Sequence, residues 1–96
     1  MKVLVCGAGQ VGFSIARYLS LENNDVTVID TSPSLIQTVQ DVLDVKGLVG
    51  YASHPDTLNE AEAAGADMII AVTLSDEVNM VACQVADSLF IVPKKI

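Results

Sequence analysis

Tryptophan is missing from this sequence, histidine occurs once, and aromatic residues make up 4% of its 96 positions. Basic residues are also few. Five Lys and Arg face twelve Asp and Glu, for a formal net charge of -7. Without a basic patch, the surface is unsuited to nucleic acid or an anionic membrane. Cys6 and Cys83 lie far apart and, with a single histidine, offer neither a zinc-ligand spacing nor a disulfide framework. No metal site is expected. Apolar runs are short: Val3 to Cys6 is followed at once by glycine. Nothing approaches the roughly 18 apolar residues of a membrane span, and the opening run is too short for a secretory leader. A cytoplasmic setting is the expectation.

What is present is apolar. Hydrophobic residues make up 51% of the chain and charged residues 18%, which excludes a disordered segment and suits one small domain. The surplus implies either an efficient core or apolar surface that meets a partner.

Short apolar runs alternate with amphipathic helical patterns, the mark of a parallel α/β sheet. Val3 to Cys6 is a strand of the kind buried on both faces. A helix follows from about Gln10 to Leu21, with Val11, Ile15, Tyr18 and Leu19 expected on its core face and Phe13 opposite. Asn23 and Asn24 make a turn into a second strand, Val26 to Ile29, ending at Asp30. Thr31-Ser32-Pro33 starts a helix to about Leu43, with Leu35, Val39, Val42 and Leu43 expected inward. Val45 to Val49 is a weaker strand interrupted by Gly47. Ser53-His54-Pro55-Asp56 opens a third helix, which Gly65 would end as a left-handed cap. Asp67 to Val72 forms a fourth strand, and a fourth helix runs to about Leu89. Right-handed crossovers then order the strands 3-2-1-4, a doubly wound, Rossmann-like sheet. Pro93 to Ile96 resembles the approach to a fifth strand, so a single domain truncated before or within that strand is expected.

Gly7-Ala8-Gly9-Gln10-Val11-Gly12 fits the GxGxxG pattern. Glycine-rich turns are common, so position decides. The motif directly follows a buried-type strand and opens an amphipathic helix. Asp30 ends the next strand at close to the spacing of roughly 20 residues that dinucleotide sites use. Gly7 permits the tight turn, Gly9 lets a pyrophosphate approach the backbone, and Gly12 lets the helix pack near the sheet. The free N–H groups at the helix start, with its dipole, would neutralise the phosphates. Asp30 would accept hydrogen bonds from an adenosine ribose and repel a 2′-phosphate, which favours NAD(H) over NADP(H). The alternative is a structural turn with a helix-capping Asp.

Two further strand ends open into the same crevice. Gly50, Tyr51 and Ala52 would flank the adenine. Thr73 and Leu74 would bound the ribose and phosphates, although a loop hydroxyl capping the next helix reads Thr73 equally well. His54, before Pro55, reads first as a loop or cap residue, and Cys6 as a small strand hydrophobe. Asp76 and Glu77 suit a helix N-terminus. No nucleophile–base pair is visible, so no catalytic residue is expected. In the last helix Met80, Cys83 and Phe90 project away from the Val78–Val85–Leu89 stripe, either as scattered exposed residues or as an interaction surface.

Four segments carry a resemblance to a known family: Met1 to Gly12, Glu22 to Asp30, Ser53-His54-Pro55, and Asp67 through Phe90. They are similar to the RCK (KTN) N-terminal domains of bacterial potassium uptake systems. That resemblance implies a non-enzymatic regulatory module binding NAD or NADH, and in relatives ATP or ADP. It implies a site on the cytoplasmic face of an integral membrane potassium transporter subunit, and assembly as dimers or larger rings. The family's nucleotide contacts fall on Gly7, Ala8, Gly9, Gln10, Val11, Asp30, Thr73 and Leu74. Phe13 departs from the small residue common after the motif. A further contact usual at the end of a fifth strand has no counterpart. The competing reading is the cofactor half of an NAD-dependent dehydrogenase.

Overall fold

The computed structural model describes residues 1–51, 54–60 and 65–72. Four parallel strands, β1 (Lys2–Cys6), β2 (Asp25–Asp30), β3 (Lys46–Val49) and β4 (Met68–Ala71), form one sheet in the order β3-β2-β1-β4. This is the expected doubly wound order. β1 lies between β2 and β4, with Val5 opposite Val28 on one side and Ile70 on the other. Val3, Leu4, Val5 and Cys6 are completely buried, which is why β1 is a continuous apolar run rather than an alternating one. Val3, Val5, Val26, Val28 and Ile70 turn to the face that carries the first two helices, where Ala16, Ile36 and Val39 close over them. Leu4, Ile29 and Ile69 are equally buried. Each such side chain contributes about 1.5–3 kcal/mol relative to an exposed one.

Helix α1 (Gln10–Leu21) has the expected bounds but a different phase. Gly12 and Ala16 are the buried positions, and Phe13, Ile15 and Leu19 pack against the core. Val11 is 59% and Tyr18 65% exposed. The expectation that Val11 and Tyr18 face the core and Phe13 faces away is therefore corrected. A Cβ on Gly12 would overlap the Gly7 carbonyl oxygen and lie 3.5 Å from Val72 Cγ2. The small residue must sit at the close approach, and once position 12 faces the sheet, positions 16 and 19 follow one and two turns later. Backbone proximity sets the rotation, not the largest side chains. The helix ends as read: Asn23 takes a positive φ of 63°, and Asn24 Nδ2 donates to the Leu19 carbonyl at 3.0 Å.

Helix α2 (Pro33–Val42) starts with Ser32 as its cap, whose Oγ accepts from the Leu35 N–H, and with Pro33 in the first turn. Its buried residues are Ile36 and Val39, while Leu35 is exposed and Val42 is 63% exposed. Val39 and Leu43 pack against the core as expected, and Leu35 and Val42 do not. The reason again is a glycine. A Cβ on Gly47 would come within 2.6 Å of Ile36 Cγ2, so α2 drops onto β3 at that point and Ile36 fills the space. Gly47 interrupts the apolar pattern of β3 because a helix crosses it closely.

Helix α3 spans Pro55–Glu60. Gly65 is not a left-handed cap. Among the described glycines a positive φ falls at Gly7 alone. Ala66 enters the core directly after Gly65, and the Asp67 N–H donates to the Lys2 carbonyl at 2.7 Å, so strand pairing sets the backbone there. The expected fourth helix, with Met80, Cys83 and Phe90, lies outside the described residues. Among the described residues no helix is long and apolar enough to cross a membrane.

The helix phase is testable. Ile36→Ala should cost about 2–4 kcal/mol in urea unfolding. Val42→Ala, at an exposed position, should stay within about 0.5 kcal/mol. Equal losses would contradict the phase described.

Candidate nucleotide site at the glycine loop

Strand order reverses at β1, so the crevice beyond its carboxyl end is where an open α/β sheet takes ligands. β1 leaves the sheet through Gly7. Its φ of 121° is a conformation that side-chain-bearing residues rarely adopt, and its N–H donates to the Ile29 carbonyl at 2.7 Å. The chain therefore turns sharply while still tied to β2.

The next contact defines the site. Ala8 N–H donates to Asp30 Oδ2 at 2.8 Å, and Ser32 N–H donates to Asp30 Oδ1 at 2.8 Å. The Asp30 backbone carbonyl accepts from the Gly50 N–H at 2.9 Å. One residue thus joins the glycine loop, the turn into α2 and the exit of β3. Bonds to a carboxylate are charge-assisted and among the stronger ones. An ionised carboxylate has about four acceptor sites, so the two N–H bonds leave capacity for hydroxyl donors. The reading of Asp30 as a helix cap is corrected, since Ser32 caps α2; the carboxylate instead ties the glycine loop to the turn before that helix and leaves room for a ribose.

Gly9 caps α1 without any side-chain hydrogen bond, and no acidic side chain sits in the first turn. The first helical bond runs from the Phe13 N–H to the Gly9 carbonyl at 2.8 Å. Helix geometry leaves the N–H groups before it without an intrahelical acceptor, at the positive end of the dipole. A Cβ on Gly9 would meet nothing within 4 Å. Nothing in the fold requires glycine there, whereas Gly12 is required by the overlap with Gly7. Gln10 and Val11 occupy the first turn, with Val11 exposed. Beside the loop, a groove of about 430 Å³ opens between α1 and α2, floored by Phe13, Leu35 and Val39.

β4 reaches the same place. The Val72 N–H donates to the Cys6 carbonyl at 2.8 Å, and Val72 stands against Gly12. Thr73 and Leu74, the next residues, lie outside the described residues, as does Ala52. Cys6 is buried in β1. His54 is exposed at the exit of β3, its ring 5.0 Å from that of Tyr51. The pairing of Asp30 with the Ser32 N–H was within reach of sequence reasoning, because Asp followed two residues later by a turn N–H is a recurrent local motif. Its bond to Ala8 joins residues 22 apart and needs the β1–β2 register to be known.

Two glycines separate folding from binding. Gly12→Ala should lose about 3 kcal/mol or more in urea unfolding, since backbone atoms cannot yield as a flexible side chain would. Gly9→Ala should remain within about 1 kcal/mol of the parent. A stable Gly12→Ala protein would contradict the close approach of α1 to the loop.

Comparison with known proteins agrees with this architecture. The chain is 62% identical over 96 residues to the Trk system potassium uptake protein TrkA of Azorhizobium caulinodans, covering 100% of the chain and 21% of that protein. It is 49% identical, with the same coverage, to the TrkA protein of Vibrio alginolyticus. The chain therefore spans about a fifth of the length of these relatives. Among solved structures, the Shewanella denitrificans Kef C-terminal domain in its AMP-bound form superposes with a TM-score of 0.85 at 24% identity, covering 100% of this chain and 57% of that one. The GsuK channel bound to NAD gives 0.83 at 22% identity, covering 97% and 17%. The saccharopine dehydrogenase of Saccharomyces cerevisiae shares the fold at 0.73 and 19% identity, covering 88% and 19%. At such identities these structures speak for the fold alone. The TrkA-N domain model matches residues 3–96, and the chain belongs to the TrkA-N domain family.

Proposed function

We propose that this domain binds NAD or NADH at the glycine loop and acts as a regulatory module of a potassium uptake system rather than as a catalyst. The observation that carries the reading is Asp30. Its carboxylate is fixed by the Ala8 and Ser32 N–H groups at the mouth of a loop whose central glycine faces open space. A dinucleotide's pyrophosphate would lie against Gly9 and the first turn of α1, from Gln10 to Gly12, and its adenosine ribose against Asp30. Thr73 and Leu74 would bound it from the end of β4. An acidic chain can take such an anion because backbone amides and the helix dipole supply the positive potential.

The site offers a cradle. Glycines, backbone N–H groups and one ribose-gripping carboxylate hold a nucleotide without transforming it. Regulation then requires only that occupancy favours one of two conformations or assemblies, each with a different affinity for the ligand. The partner would be an integral membrane potassium transporter subunit, with the domain on its cytoplasmic side and paired with further copies of itself. The curated relatives named for potassium uptake and the NAD-bound channel neighbour support this reading. ATP or ADP would use the same ribose grip, and the AMP-bound neighbour keeps that ligand class in the test.

Calorimetric titration with NAD, NADH, NADPH, ATP and ADP decides among these. NADH should bind at least about tenfold more tightly than NADPH, because a 2′-phosphate would meet the Asp30 charge. Asp30→Asn keeps one acceptor and removes the charge, and should narrow that ratio several-fold. Gly9→Val should weaken every nucleotide more than about tenfold with the fold intact. Equal affinity of the parent for NADH and NADPH would refute the role given to Asp30.

A further inference from the structure

β1 is tied by an aspartate side chain at each end. Beyond its carboxyl end the Ala8 N–H donates to Asp30, and at its amino end the Lys2 N–H donates to Asp67 Oδ2 at 2.8 Å. Asp67 also gives its own N–H to the Lys2 carbonyl at 2.7 Å. The residue that precedes β4 thus engages both main-chain groups of Lys2. The apolar pattern alone leaves the register of β4 open. Val3 to Cys6 are completely buried, and Met68 to Ala71 opposite them are apolar throughout. Register is normally fixed by apolar residues that must face in and polar ones that must face out. Here a one-residue slip would exchange Ile69 for Ile70 and expose neither. The register nonetheless decides what reaches the glycine loop. With Val3 opposite Met68, the Val72 N–H meets the Cys6 carbonyl at 2.8 Å, and Val72 Cγ2 lies 3.5 Å from the point a Gly12 Cβ would take.

We propose that Asp67 is the register pin of β4 and, through that strand, a positioning residue for the nucleotide site. The proposal rests on the nucleotide-binding reading above and adds what sets the β4 side of that site. Asp67 lies a whole strand away from Val72, about 16 Å, too far to touch a ligand at the loop. It acts through the strand. Without its carboxylate, β4 holds the productive register only part of the time, and apparent affinity falls with that fraction.

Amide hydrogen exchange of the Val72 N–H, bonded to Cys6, and of the Gly7 N–H, bonded to Ile29, reads the two sides of β1 separately. Asp67→Ala should speed Val72 exchange about tenfold while Gly7 changes less than about threefold, since one charge-assisted bond is lost locally. Asp67→Asn keeps one acceptor oxygen and should return Val72 to within about threefold of the parent. Asp25→Ala removes an exposed acid from the same end of the sheet and should leave both amides as in the parent. In calorimetry NADH should bind Asp67→Ala about fivefold more weakly, and Asp67→Asn within about twofold of the parent. Equal acceleration of Val72 and Gly7, or an unmoved Val72, overturns the pin. Faster Val72 exchange with parent affinity for NADH overturns the positioning role and leaves the nucleotide reading standing. If the parent binds no nucleotide, that reading and the positioning role fall together.

Discussion

A single residue, through its carboxylate and its main-chain carbonyl, ties together the end of the sheet from which the glycine loop departs. Asp30 accepts from the Ala8 N–H of the glycine loop and the Ser32 N–H of the next turn, while its own carbonyl takes the Gly50 N–H from β3. Each bond ties a separate chain segment to the end of β2. The glycine loop, the turn into α2 and the exit of β3 thus share one anchor. Preorganisation of this kind lowers the ordering cost when a ligand arrives. The same carboxylate, with acceptor capacity left over, supplies the negative charge that would sort nucleotides by their 2′ substituent.

The sheet beneath explains why the anchor can be rigid. β1 is buried on both faces between two parallel partners, so Gly7 departs from a fixed point and its N–H stays paired with Ile29. Two glycines bring the helices down onto this platform. Gly12 sets α1 against the loop itself, and Gly47 sets α2 against β3. Gly9 has no such neighbour. Within one motif, therefore, Gly12 is demanded by the fold and Gly9 is not.

Much of this was legible in the residues. The alternation of apolar runs with helical patterns led to the parallel sheet, and right-handed crossovers led to its order. Ser32 and Pro33 marked the start of α2 through chemistry that is local to the chain. The rotation of both helices was not legible, because periodicity counts large apolar side chains and the rotation is set by where small ones permit contact. Val11, Tyr18, Leu35 and Val42 were assigned inward on size, whereas Gly12 and Gly47 decided the matter. The placing of Asp30 beside the glycine loop followed from spacing. Its bond to Ala8 could not, since it depends on register between two strands. Gly65 was misread for a related reason: pairing of Asp67 with Lys2, distant in sequence, governs the backbone there.

The central claim is that the ligand meets the domain at Asp30 and the glycine loop. Amide-resolved NMR of the ¹⁵N-labelled 10.1 kDa chain during titration with NADH tests it most directly. The account predicts the largest shifts at Gly9, Gln10 and Val11, with Ala8 and Ser32 moving as the Asp30 carboxylate takes on the ribose. Saturable binding that leaves these five amides unmoved while another surface responds would contradict it.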